Sequence, residues 1–288
     1  MEIEILRIHF ITDRDVPLTA FSGVFVYTCA LSMISRRYPS LSLSLHGKES
    51  KFKPLSCTCL FKENGQPLLR GTIKASQLYF FDIIGIGRHM SEVLRDTILN
   101  LFSKKNILEM KSCTIFIDSL EINLIEYNRL LDEAELLRQH LLEYSKWGLD
   151  FITPCQLSKL TSIRHRKPIF RLFPDPEYIY RNLANYWNHF SKDKIDIEAL
   201  FNYLKDNAYV CRYQGRTRVL PLGEGRFTVG FMGRYYYEAR NLDEEKAHDI
   251  ALLTTFGSIV GIGKHRTMGL GRVRIIYYKE PEGKRTNP

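Results

Sequence analysis

Residues 256–276, FGSIVGIGKHRTMGLGRVRII, hold the densest group of side chains whose types and spacing suit chemistry. Four glycines form two pairs, Gly261-Ile-Gly263 and Gly269-Leu-Gly271, separated by Lys264, His265, Arg266, Thr267 and Met268. Glycine tolerates positive φ and lets backbone come close to a neighbour. Two such pairs around a cationic tip can turn several N–H groups toward an anion, with phosphate the usual ligand. The simpler alternative is a glycine-rich hairpin with an exposed basic tip. Arg272 follows the second pair and opens an alternating basic and apolar run, Arg272-Val-Arg274-Ile.

The charge distribution points the same way. The 288 residues carry a net charge of +9, and 44% of them are hydrophobic, as in a globular chain large enough for two cores. Residues 151–174 contain Lys159, Arg164, Arg166, Lys167 and Arg171, residues 207–223 contain Arg212, Arg216 and Arg218, and Arg274 and Lys279 extend the glycine segment. Acids gather instead in 118–150 and 191–206. Such segregation makes one positive face, the electrostatic footprint of a polyphosphate partner. No apolar run reaches the ~18 residues of a membrane span, and MEIEILRIHF reads as a strand, so no membrane partner and a cytoplasmic protein are expected. Of six scattered cysteines only Cys57-Thr-Cys59 is a close pair, with the wrong spacing for zinc, so no metal is expected. No dinucleotide or P-loop glycine motif sits between an early strand and a helix, and no RNP-type aromatic strand is present.

Hydrophobic periodicity supplies the elements that position these residues. Residues 2–10 predict a strand, and Ala20, Val24, Tyr27, Leu31 and Ile34 mark one face of a helix over 18–35. Segments 41–46, 55–62 and 68–79 predict strands, with Asn64-Gly65 as a turn. A helix over 90–102 and a strand over 107–118 complete β-α-β-β-α-β, the ferredoxin-like order. Residues 126–145 predict a linker or short helix. The scheme then repeats: a strand at 147–157, a basic loop at 158–168, helices behind Pro176 and over 195–205, strands at 207–220 and 226–238, a helix over 242–256 and a last strand at 271–279. The expectation is an α+β chain of two tandem ferredoxin-like (RRM-like) domains, 1–125 and 146–288, joined by the linker 126–145.

With two such halves and G-h-G-x5-G-h-G before the final strand, the chain resembles the RAMP superfamily of CRISPR proteins, and within it the endoribonuclease that processes repeat RNA. Supporting stretches are Phe151-Ile-Thr-Pro154, Ile169-Phe-Arg-Leu-Phe-Pro174 leading into Tyr180-Arg-Asn-Leu-Ala-Asn-Tyr-Trp187, and Leu45-His46 followed by Lys53-Pro54-Leu55. The resemblance implies a metal-independent endoribonuclease without cofactor, a monomer or homodimer. It implies CRISPR repeat RNA as partner, with a CRISPR effector complex as a further one. The alternative within the superfamily is a non-catalytic subunit that only holds guide RNA. Outside it, the alternative is a general RNA-binding protein of tandem ferredoxin-like units.

Cleavage of this kind needs a base for the 2′-hydroxyl, an acid for the leaving 5′-oxygen and a cation for the phosphorane, and histidine and lysine supply them. The resemblance assigns these roles to His46, to Tyr27 or Tyr38, and to one of Lys48, Lys51 and Lys53. Read alone, His46 is the surface end of an alternating LSLSL strand, Tyr27 lies on the apolar stripe of its helix, and the lysines are a solvated charge run. His265 is the rival catalytic histidine and otherwise an RNA contact; His9, His89 and His165 rank lower. RNA contacts are expected from Gly261, Gly263, Lys264, His265, Arg266, Gly269, Gly271 and Arg272, and from Arg164, Arg166 and Lys167 in the basic loop.

Overall fold

The computed structural model describes residues 1–47, 52–103, 106–159 and 169–278. The first half runs β1 (Glu2–Thr12), β2 (Val16–Leu18), α1 (Ser22–Ser35), α2 (Pro39–His46), β3 (Leu55–Cys57), β4 (Leu60–Lys62), β5 (Pro67–Leu68), β6 (Gly71–Ile73), β7 (Tyr79–Ile86), α3 (Arg88–Ser103), β8 (Ile107–Glu109) and β9 (Thr114–Glu126). Helix α4 (Tyr127–Tyr144) leads into β10 (Lys146–Cys155), β11 (Leu157–Lys159), β12 (Ile169–Arg171), α5 (Pro176–Phe190), α6 (Ile197–Asn207), β13 (Ala208–Gly223), β14 (Arg226–Ala239), α7 (Glu244–Val260) and β15 (Val273–Ile276).

Both halves have the ferredoxin-like strand order. In the first, β1 lies between β7 and β9, antiparallel to both, and β3 and β4 extend the sheet beyond β7. In the second, the order is β13-β14-β10-β15. Local chemistry starts the helices where the sequence implies: Pro176 opens α5, the Asp196 carboxylate accepts from the Glu198 and Ala199 N–H groups, and Asp243 caps Lys246.

Three segments differ from the sequence expectation. Residues 41–46 are helical, within α2. Their Ser-Leu alternation imitates a strand, but Pro39 starts a helix, and Ser42 and Leu45, three apart, are the buried pair. The expected strand at 68–79 is instead two short edge pieces, β5 and β6. The central strand β7 is the following run, YFFDIIGI, in which seven of eight residues are buried. A strand buried on both faces has no alternation to detect. Residues 126–145 hold an 18-residue helix, α4, which buries Leu130, Ala134, Leu137 and Leu141 in a core that joins the second half to Ile3, Ile84, Ile86 and Ile125 of the first.

The halves are packed together. Phe21, Cys59, Phe61 and Leu69 from the first form one apolar cluster with Leu220, Leu222 and Leu270 from the second. The Phe21 N–H donates to the Pro221 carbonyl at 2.8 Å. Among the described residues no helix is long and apolar enough to cross a membrane.

Candidate functional site

The glycine loop lies at the junction of the two halves. All four glycines have positive φ: 84° at Gly261, 87° at Gly263, 77° at Gly269 and 70° at Gly271. Three of them also face backbone at close range. A Cβ on Gly271 would meet the Ile262 carbonyl oxygen at 1.7 Å, on Gly263 the Gln156 oxygen at 2.6 Å, and on Gly269 the Thr58 carbonyl carbon at 2.4 Å. The last contact crosses to the first half. Gly23 on α1 answers it, since a Cβ there would meet the Met268 oxygen at 1.8 Å. The Ser56 hydroxyl donates across the same boundary to the Val260 carbonyl at 2.7 Å.

Most N–H groups of the loop are turned into the protein. The N–H groups of Gly261, Ile262, Lys264, Met268, Gly269, Leu270 and Gly271 all donate to protein carbonyls, and those of Gly263 and Arg272 to the side chains of Asn182 and Thr153. Backbone this close to other backbone must satisfy its own hydrogen bonds. What the loop presents outward is its tip, where exposed His265 holds a left-handed conformation at φ 60°. Enclosure by surrounding protein, then the charges of Lys264, Arg226 and Lys53, lower the pKa of His265. The Lys264 ammonium sits 4.7 Å from the Phe170 ring centroid, and partial burial lowers its pKa.

The two arginines are engaged with protein. The Arg266 guanidinium lies over the Tyr186 ring, 3.6 Å from its centroid, and donates to Asn182 Oδ1 at 3.1 Å. Arg272 donates to the Ile259 carbonyl, and burial lowers its pKa against the opposing pull of Asp82. Both therefore hold the loop from behind.

The second cluster surrounds His46, which is the exposed last residue of α2. The carbonyl of the preceding Leu45 accepts two side-chain donors: the Tyr27 hydroxyl at 2.6 Å and the Lys53 ammonium. Tyr27 is buried, which raises its pKa to about 12, so it is a neutral donor at ordinary pH. Burial lowers the pKa of Lys53. Tyr38 points elsewhere, donating to Asp96 Oδ2 at 2.5 Å beside Arg37. The structure thus brings Tyr27 and Lys53 together next to His46 and leaves Tyr38 bound to α3. Three residues after Lys53, the Ser56 hydroxyl also donates to the Arg266 carbonyl of the loop at 3.2 Å.

Lys48, Lys51, Arg164, His165, Arg166 and Lys167 lie outside the described residues. His9 is paired with Glu121 at 2.9 Å on the sheet of the first half, and His89 is in the first turn of α3. Cys57 and Cys59 are buried, and burial pushes both thiols up. Among the described residues no three His, Cys, Asp or Glu side chains are placed to hold a metal ion. Four participants have no functional signal in the sequence: Gly23, Ser56, Asn182 and Tyr186. Asn182 and Tyr186 do fall inside the quoted stretch 180–187, but the helical stripe there marks Tyr186 only as core.

The chain thus consists of two ferredoxin-like units with a glycine loop ahead of the final strand. Residues 149–273 match the family model of the CRISPR-associated endoribonuclease Cas6. No curated protein matches the chain. The fold is that of a Cas6 product complex (TM-score 0.71, 17% identity, covering 95% of this chain and 100% of the other). It is also that of Thermus thermophilus Cas6 (TM-score 0.67, 16% identity, 95% and 98% covered). A RAMP protein binding different RNA substrates is similar as well (TM-score 0.58, 11% identity, 95% and 99% covered). The resemblance read from the sequence therefore holds: the second half carries the Cas6 family match, and the whole chain has the fold of these RAMP proteins.

Proposed function

We propose that this protein is a metal-independent endoribonuclease that binds CRISPR repeat RNA and cuts the precursor transcript into guide RNAs. The observation that carries the reading is the convergence of Tyr27 and Lys53 on the carbonyl before His46, in the half whose Ser56 bonds the glycine loop. A buried tyrosine and a lysine fixing the last turn of α2 give His46 a defined place on an otherwise exposed helix end.

In this mechanism the 2′-oxygen attacks the adjacent phosphorus as a base removes its proton. The P–O5′ bond breaks and the 5′-oxygen takes up a proton, leaving a 2′,3′-cyclic phosphate and a 5′-hydroxyl. His46 is the proton-transfer group. The Lys53 ammonium stabilises charge on the phosphorane. Tyr27 holds the Leu45 carbonyl and takes no part in proton transfer. Lys264 and His265 contact the RNA backbone, helped by Arg164, Arg166 and Lys167, while the glycines, Arg266 and Arg272 shape the loop that carries the tip.

The test is incubation of the purified protein in EDTA with repeat RNA, beside His46→Ala and RNAs carrying single 2′-deoxy substitutions. The expected result is one cut per repeat, abolished by His46→Ala and by one deoxy position. Cleavage that survives His46→Ala would move the chemistry to another residue, with His265 next. Cleavage lost in EDTA would end the metal-independent reading. Binding without cutting would favour the subunit that only holds guide RNA.

A further inference from the structure

We infer that Tyr186, on α5 of the second half, is a positioning residue for cleavage, linking the glycine loop to the Lys53–His46 cluster; this rests on the endoribonuclease reading above. Tyr186 is 1% exposed, and its hydroxyl donates to the backbone carbonyl of Lys53 at 2.7 Å. The Arg266 guanidinium covers the ring at 3.6 Å, and the Phe52 ring stands 6.0 Å away. On its far side Tyr186 packs against Phe256 of α7 at 5.7 Å and Phe190 at 5.2 Å.

The continuity of these contacts is what matters. Arg266 belongs to the loop whose tip faces the RNA. Its guanidinium lies on Tyr186, Tyr186 holds the root of Lys53, and the Lys53 ammonium holds the Leu45 carbonyl next to His46. The middle step, Tyr186 to Lys53, spans 133 positions and crosses between the halves. A phenylalanine at 186 would fill the same space in the core. Only the hydroxyl reaches Lys53, and a buried hydroxyl needs such a partner. Removing it leaves the Lys53 backbone free to move by an amount that matters at a reacting phosphate, where misplacement by about 1 Å costs up to a hundredfold in rate.

The experiment is Tyr186→Phe, alone and combined with Lys53→Ala, measured by single-turnover cleavage and by affinity for an uncleavable 2′-deoxy repeat RNA. The expected result is a cleavage rate lower by roughly ten- to a hundredfold with affinity unchanged within about twofold. Because Tyr186 acts through Lys53, adding Tyr186→Phe to Lys53→Ala should slow cleavage no further. A wild-type rate in Tyr186→Phe, or losses that multiply in the double variant, overturns the proposal. Phe52→Leu removes a ring beside Tyr186 without touching the hydroxyl; should Tyr186→Phe fail to fold, a lower rate at unchanged affinity in Phe52→Leu supports the link, and a wild-type rate overturns it. If the wild type binds repeat RNA without cutting it, the endoribonuclease reading fails and this proposal with it. If the wild type cuts and only the Tyr186 results fail, the reading stands.

Discussion

Alanine in place of a helical glycine ordinarily stabilises, by about 0.5–1 kcal/mol, because glycine has more chain entropy to lose. Gly23 in α1 should reverse that sign. Its added Cβ would lie 1.8 Å from the Met268 oxygen, 2.8 Å from the Met268 carbon and 2.6 Å from an atom of the Phe21 ring. Ordinary contact distances are ~3.5–4 Å, so backbone of the glycine loop must move back by well over 1 Å. The loop has little room to do so, since the Ser56 hydroxyl bonds the Val260 and Arg266 carbonyls and Thr153 bonds that of Gly269 at 2.9 Å. Overpacking costs ~1–3 kcal/mol and outweighs the helix gain, leaving a net loss of about 1–2 kcal/mol. Thermal unfolding of Gly23→Ala followed by circular dichroism should therefore show Tm lower by about 2–8 °C. Single-turnover cleavage should fall as well, because the loop tip is displaced from His46. A variant with raised Tm and wild-type cleavage would refute the docking of loop on helix that underlies the functional reading.

Four other outcomes follow from the same contacts. Asn182→Ala orphans the Gly263 N–H and an Arg266 N–H, and should lose about 1–3 kcal/mol of stability and weaken RNA binding, whereas Asn182→Asp keeps the acceptor and should lose less in a denaturant titration. Lys53→Ala should lower single-turnover cleavage by about 10²–10³ with little change in RNA affinity, the usual loss when one charge-stabilising donor is removed. Tyr27→Phe removes one of two donors to Leu45 and should lower the rate without changing the shape of its pH profile below pH 9, because Tyr27 stays protonated there; a shifted acidic or basic limb would make Tyr27 a proton-transfer group. Burial raises Tyr27 and Tyr186 from an ordinary value near 10 to about 12, so their stabilising share is complete below about pH 10 and is lost as pH rises toward 12. The urea midpoint should fall across that window, less steeply in Tyr186→Phe.

Much of the architecture was legible because its signals are local. Helices α3 and α5 carry regular apolar faces, α5 and α7 have proper starts, and the paired glycines announce a loop with positive φ. What was not legible depends on burial from outside. YFFDIIGI loses its alternation because helices and the other half cover both faces of β7. Pro39–His46 alternates like a strand, yet it folds as a helix whose Leu45 carbonyl accepts from both Tyr27 and Lys53. The site divides likewise. The loop tip was named from its residues, and His46 with Tyr27 or Tyr38 and one of three lysines from the resemblance; the structure brings Tyr27 and Lys53 to the carbonyl before His46. Gly23, Asn182 and Tyr186 have residue types common in any helix, and the hydrogen-bond partners of Asn182 and Tyr186 lie 81 and 133 positions away.

The glycine pairs also divide the labour within the loop. Positive φ and missing side chains turn Gly263, Gly269 and Gly271 toward protein, where they let the loop dock against Gln156, Thr58 and Ile262. The cationic tip between them faces the other way. The paired glycines are therefore a dock as well as turns, and the dock sets the cationic tip in place. The two roles are separable by substitution. Gly269→Ala must disturb docking, and so should lower stability, RNA affinity and cleavage together. Lys264→Ala touches only the presented face, and should lower RNA affinity and its salt dependence while Tm stays within about 1 °C of wild type. If Gly269→Ala bound RNA poorly at unchanged Tm, the glycines would be facing the RNA after all.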